Sequence, residues 1–213
     1  MQTKLNAKQQ AIIPIAAFTA NGDLDKLKTG LEKGLDAGLT VNEIKEILVQ
    51  MYAYAGFPRS LNAIGTFMAV TAARKEKGCT DEVGKEASPL PVDRSSLEFG
   101  TENQTKLVGQ PVKGPLFDFA PAIDQFLKAH LFGDIFQRDV LDWRERELAT
   151  IAALANIEGV NSQLQSHYAI SLNNGLTPEM LHDFITVLDA WCGPEVTQNA
   201  KVVLEQVLDA LRK

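Results

Sequence analysis

The chain has 213 residues, 45% of them hydrophobic and 23% charged, and 27 acidic against 21 basic side chains give a net charge of −6. That is ordinary globular composition, and it gives no reason to expect nucleic acid or an anionic membrane as partner. Cys79 and Cys192, far apart in sequence, exclude a disulfide scaffold, and no apolar run reaches the roughly 18 residues needed to cross a bilayer. The first residues, MQTKLNAKQQ, lack a charged-then-apolar leader, so the cytoplasm is the expected compartment.

In chain order the elements read as helices. Asn6 with Gln9 makes a capping box for an apolar helix reaching Phe18, and Asn21-Gly22-Asp23 breaks it. Leu24, Leu27, Leu31 and Leu35 fall at helical spacing up to a stop at Gly38. Thr40 with Glu43 caps a helix carrying Ile44, Ile47, Leu48 and Met51 on one stripe. Gly56-Phe57-Pro58 ends that helix, and Leu61, Ile64 and Met68 predict another. From about Glu76 to Pro115, Gly, Pro, Ser, Thr and charge dominate, which predicts a linker or a surface strap. Pro121 opens a helix bearing Ile123, Phe126, Leu127 and Leu131. Asp142 with Glu145 caps the next, reaching about Ala155, and Ile157-Glu158-Gly159 turns the chain into a helix ending near Asn173. Thr177-Pro178-Glu179 starts another, and Val202, Val203, Val207, Leu208 and Leu211 close the chain on an amphipathic one. No strand pattern competes, so the fold class is all-α.

The chain also repeats itself. IPIAAF from Ile13 resembles ATIAAL from Ala149, and Gly38-Leu39-Thr40 returns as Gly175-Leu176-Thr177 with a single position of slip between the two matches. In the register of the second match, Tyr54, Gly56, Asn62 and Ala63 face Trp191, Gly193, Asn199 and Ala200. The expected organisation is a first repeat over 1–78, a linker or strap over 79–115, and a second repeat over 116–213.

The strongest chemical pair is Glu147 and His167. Each lies ten residues from position 157 in the predicted turn, so an antiparallel hairpin brings both to one level, about 15 Å along their helices. His167 shares a face with Leu164, Tyr168 and Ser171, and points inward. A carboxylate and an imidazole in a partly apolar pocket can orient each other and move a proton. Glu145 fits the turn nearly as well, and a hydrogen-bonded core histidine beside a solvated acid is the bland alternative. Arg59, after the Gly-Phe-Pro turn, is placed to hold a carboxylate near a helix start or to lie as a surface side chain at a corner. Glu179 and His182 make a single Glu-x-x-His pair, too few for a di-iron bundle, and His130 shares a face with Phe126 and Leu127.

Two stretches carry a family resemblance: GLDAGLTVNEIKEILVQMYAYAGFPRSLNA from Gly34 and RERELATIAALANIEGVNSQLQSHYAISLNNGLTPEML from Arg144. They resemble the carboxymuconolactone decarboxylase family, which includes the alkylhydroperoxidase-D-like proteins, here as two tandem helical repeats. The resemblance implies an all-α fold, a homo-oligomer (trimer or hexamer), and a Glu and a His on successive hairpin helices. The redox branch also carries cysteines seven and four residues before that His, where this chain has Val160 and Gln163. A thiol-dependent peroxidase is therefore the disfavoured reading. In the first repeat Gly30 and Leu31 stand where His167 falls in the second, so one site per chain is expected. What the resemblance implies is a carboxy-lyase acting without metal or organic cofactor on a small anionic lactone or organic acid. His167 would be proton donor, Glu147 its orienting partner, and Arg59 or Arg146 the carboxylate clamp. A non-catalytic oligomeric helical module of the same fold is the competing expectation.

Overall fold

The computed structural model describes residues 4–212, and every regular element among them is helical. The first repeat comprises α1 (Ala7–Asn21), α2 (Leu24–Asp36) and α3 (Val41–Glu76). Then come α4 (Ser96–Val108), the short α5 (Pro115–Phe119) and α6 (Pro121–Phe126), and a π-helical segment, Leu127–Ile135. The second repeat comprises α7 (Trp143–Ala155), α8 (Asn161–Asn173), α9 (Pro178–Cys192) and α10 (Pro194–Leu211).

The repeats turn at the same places. Gly38 and Gly175 both take φ 92°, and Gly56 and Gly193 take 83° and 85°. Glycine enters that region without steric penalty, so the shared spacing marks one pair of turns made twice. At Gly56 the turn falls inside α3, which bends there and continues through Pro58 as a second arm, the counterpart of α10. The capping boxes at Asn6, Thr40 and Asp142 all form, and Thr177 caps α9 ahead of Pro178 at its first position.

α1 and α7 pack on each other at the centre of the molecule. Both are buried nearly all round: Ile12, Ile13, Ile15 and Ala16 of one, and Leu148, Ala149, Ile151 and Ala152 of the other, have no exposed surface, and α7 buries Arg146, Glu147 and Thr150 beside them. A helix surrounded by other helices buries more than a single stripe. α3 of the first repeat crosses to pack on α7, and α9 of the second crosses to pack on α1. Each repeat therefore walls the other's central helix.

The stretch expected to be a linker or a surface strap is irregular only in its first part. Its first part, 79–95, is irregular but fastened to its own chain. The Val41 and Asn42 amides donate to the Glu82 and Val83 carbonyls, and the Ser88 amide and hydroxyl donate to Asp139. Its second part is the helix α4, opened by a capping box of Ser95 with Glu98. Phe99 and Leu107 are its buried apolar side chains, too few to stand out from a polar sequence. Close backbone approach holds it instead: a Cβ on Gly100 would overlap the Lys128 carbonyl oxygen, and one on Gly133 the Ser96 carbonyl oxygen.

Candidate functional site

α7 and α8 form the expected hairpin, and it sets Glu147 against His167. His167 Nδ1 lies 2.8 Å from Glu147 Oε2. Glu147 is fully buried and its Oε1 has no hydrogen-bond partner, whereas His167 keeps 12% of its side chain exposed. A carboxylate accepting from Nδ1–H fixes the tautomer and leaves Nε2 as the nitrogen available to a ligand. Glu145 is occupied elsewhere: its Oε2 accepts the Asp142 amide in the capping box.

His167 stands on the wall of a partly open cavity of about 690 Å³. α8 contributes Gln163, Ser166 and Ile170 to that wall, and α3 contributes Tyr54. α4 adds Gln104 and Val108, and the π-helical segment adds Leu127, Leu131 and Phe132. So α4 and its neighbours, unremarkable in sequence, close the space over the Glu–His pair. The lining is mainly apolar with a few convergent polar groups, the usual make-up of a small-molecule site. No Arg or Lys is found among the described residues that line it.

The Tyr54 ring stands edge-on to His167, with centroids 6.1 Å apart and planes at 80°. Burial first, and the nearby Glu147 charge second, push the Tyr54 hydroxyl above its ordinary pKa. Behind it, Thr150 Oγ1 donates to Tyr54 Oη at 3.1 Å, Gln50 Nε2 donates to Thr150 Oγ1 at 3.0 Å, and Arg146 Nη1 donates to Gln50 Oε1 at 2.9 Å. Sequence reading missed this network. Its only trace is a pair of polar residues at i, i+4 on each of two buried faces, Gln50 with Tyr54 and Arg146 with Thr150.

Neither arginine expected as a carboxylate clamp lines the cavity. Arg146 is fully buried and donates to Glu46 Oε1 at 2.8 Å and to the Arg138 carbonyl at 2.8 Å, while Arg138 donates to both oxygens of Glu46 at 2.7 and 3.0 Å. Burial pulls the Glu46 carboxyl upward, but its bonds to the two guanidinium groups outweigh this and hold it below the usual range. A guanidinium already neutralised and closed off from solvent is an internal strut. Arg59 reaches back to the Ala20 carbonyl, where the open carbonyl end of α1 attracts a cation.

The remaining candidates lie apart. His130 Nδ1 pairs with Asp134 on the surface at 2.8 Å, and His182 lies 3.7 Å from Glu205. Cys79 is exposed and Cys192 half-buried, both free; burial raises the Cys192 thiol, which lowers its thiolate fraction. In the first repeat, the register that aligns Ile13 with Ala149 places Ala11 and Leu31 opposite Glu147 and His167. Leu31 is fully buried, and a Cβ on Gly30 would meet Pro14 at 3.6 Å, so α2 packs against α1 there.

The model of the carboxymuconolactone decarboxylase family matches residues 1–67 and 121–206. Over 123 residues the chain is 26% identical to a 4-carboxymuconolactone decarboxylase of Acinetobacter baylyi, a match spanning 56% of this chain and 91% of that one. Over 67 residues it is 30% identical to an uncharacterized protein of Methanocaldococcus jannaschii, spanning 32% of this chain and 63% of that one.

Proposed function

Because the chain belongs to the carboxymuconolactone decarboxylase family, we propose that it is a cofactor-free acid–base enzyme in which His167 transfers a proton at a carbon next to a carbonyl. The observation that carries this reading is the 2.8 Å contact between His167 Nδ1 and the buried Glu147, made at the wall of a cavity large enough for a small organic substrate. Glu147 orients the ring and stabilises the imidazolium formed when Nε2 takes up a proton. When a carboxylate leaves as CO2, its bonding electrons pass into an enolate, and His167 returns a proton to carbon. A carboxylated lactone or a β-keto acid is the substrate class to try first, given the relative in Acinetobacter baylyi.

Exposed Phe57, Leu61 and Met68 lie four and seven residues apart along the second arm of α3. That stripe supports the homo-oligomer implied by the family, because contiguous exposed apolar surface marks a contact face.

The test is turnover of carboxylated lactones and β-keto acids by the purified protein and by His167→Ala. Loss of a positioned acid–base group lowers the rate by about 10²- to 10⁴-fold. Undiminished activity in the variant removes His167 from the mechanism.

A further inference from the structure

Four side chains behind His167 form hydrogen bonds whose direction can be followed atom by atom. Arg146 can only donate, so its Nη1, 2.9 Å from Gln50 Oε1, fixes which end of the Gln50 amide faces it. Gln50 Nε2 then donates to the Arg146 carbonyl and to Thr150 Oγ1, both at 3.0 Å. Thr150 has its own proton still to place. It makes no bond to the carbonyl one turn back, that of Arg146, and its remaining partner is Tyr54 Oη at 3.1 Å. Tyr54 therefore accepts, and its own proton has no acceptor among the described residues. That hydroxyl belongs to a side chain on the cavity wall whose ring touches His167.

We propose that the Tyr54 hydroxyl donates a hydrogen bond to the substrate's carbonyl oxygen, and that the substrate is an enolisable carbonyl compound with an apolar body. This rests on the proton-transfer reading of His167 given above. In the step, a C–H bond beside the carbonyl breaks and its proton goes to His167 Nε2. The electron pair forms the C=C bond of an enolate, and the negative charge on oxygen is held by the Tyr54 O–H, which keeps its proton. Reversal restores the carbonyl. Burial and the Glu147 charge keep the phenol protonated through the neutral range, so it stays a donor. The apolar body is argued from Val108, Leu127, Leu131, Phe132 and Ile170 on the same wall. Arg146, Gln50 and Thr150 are positioning residues: they touch no substrate, and they aim the Tyr54 proton.

The probe is 2-tetralone labelled with ¹³C at its carbonyl. Two quantities are read: the carbonyl stretch of the bound ketone, and exchange of its α-protons in D2O by NMR. In the unmodified protein the stretch should fall on binding and exchange should be catalysed. Tyr54→Phe should lose the stretch shift and slow exchange by about 10²- to 10³-fold, as removal of one oxyanion donor does. His167→Ala should abolish exchange while keeping the shift, which separates the two roles. Thr150→Val, which leaves the phenol in place but unaimed, should weaken both; it also serves if Tyr54→Phe does not fold. Exchange without a Tyr54-dependent shift overturns the proposal and leaves the His167 reading standing. A shift without exchange does the reverse. No binding of 2-tetralone at millimolar concentration refutes the substrate class.

Discussion

Glu46→Ala should unfold the protein more readily than any surface substitution, and the magnitude follows from what Glu46 neutralises. Arg146 has no exposed side-chain surface, and Glu46 is the acid that faces it; Arg138, the other partner, is 40% exposed. Removing one member of a buried ion pair costs about 3–5 kcal/mol, because the other charge stays in the interior uncompensated. The exposed Arg138 contact adds at most about 1 kcal/mol, since solvent screens it. A loss of about 4 kcal/mol is therefore expected from a total that is about 5–15 kcal/mol for proteins generally. Urea unfolding followed by circular dichroism measures it, with Arg138→Ala as the mild control. The sign of the pH effect also follows. Glu46 has a folded pKa below its ordinary 4.5, so its contribution is complete above that value and disappears as pH falls through the lower folded one. Glu46→Ala should thus be nearly as stable as the parent in strong acid and much less stable at neutral pH. A neutral-pH loss under about 1 kcal/mol, no more than a screened surface pair contributes, would refute the picture of Arg146 as a buried strut dependent on Glu46.

Gly100→Ala should be destabilising by about 3 kcal/mol and should open the cavity, because the added methyl overlaps the backbone of the π-helical segment and no side chain can swing aside. Thermal unfolding together with 2-tetralone affinity checks this; an unchanged melting temperature would mean that α4 does not pack as described. Leu61→Glu places a charge in the exposed stripe of α3 and should dissociate the proposed oligomer, read as a lower sedimentation coefficient. An unmodified protein that already sediments as a monomer would remove that stripe as a contact face.

Legibility in the sequence followed local chemistry. Capping boxes, a Pro at the first helical position and glycines beyond helix ends are short-range signals, and they placed most of the helices of both repeats closely. The hairpin level of Glu147 and His167 was legible for the same reason, since two helices and one turn fix it. α4 was not, because its stability comes from glycine-to-backbone contact with the π-helical segment well downstream, which leaves no apolar stripe to read. Arg146 was taken as open to a ligand, whereas it is fully buried. Nothing near Arg146 in sequence announces Glu46, on a helix of the other repeat, as the acid it would bury against. Arg59 was left open between a carboxylate holder near a helix start and a surface side chain at a corner; the exposed side chain donates to the carbonyl end of α1 beyond the bend at Gly56.

The duplication explains why the candidate site sits in only one half. Tyr54 and Trp191 occupy equivalent positions, and each crosses to the other repeat. Tyr54 stands edge-on to His167, whereas Trp191 stands edge-on to Phe18 at 6.1 Å with Lys33 over its ring at 4.8 Å. Phe18 is the first-repeat counterpart of Leu154, which lines the cavity. Phe18 and Leu31 are buried in the apolar core with Ala11 packed against it, so the polar pair has no counterpart in the first repeat. The first repeat is thus closed at its own centre and lends Tyr54, Gln50 and Glu46 to the second. The second repeat alone would present the Glu–His pair without the donor that faces it or the acid that neutralises Arg146. Both halves contribute side chains to the candidate site, which is a physical reason for the two repeats to stay in a single chain.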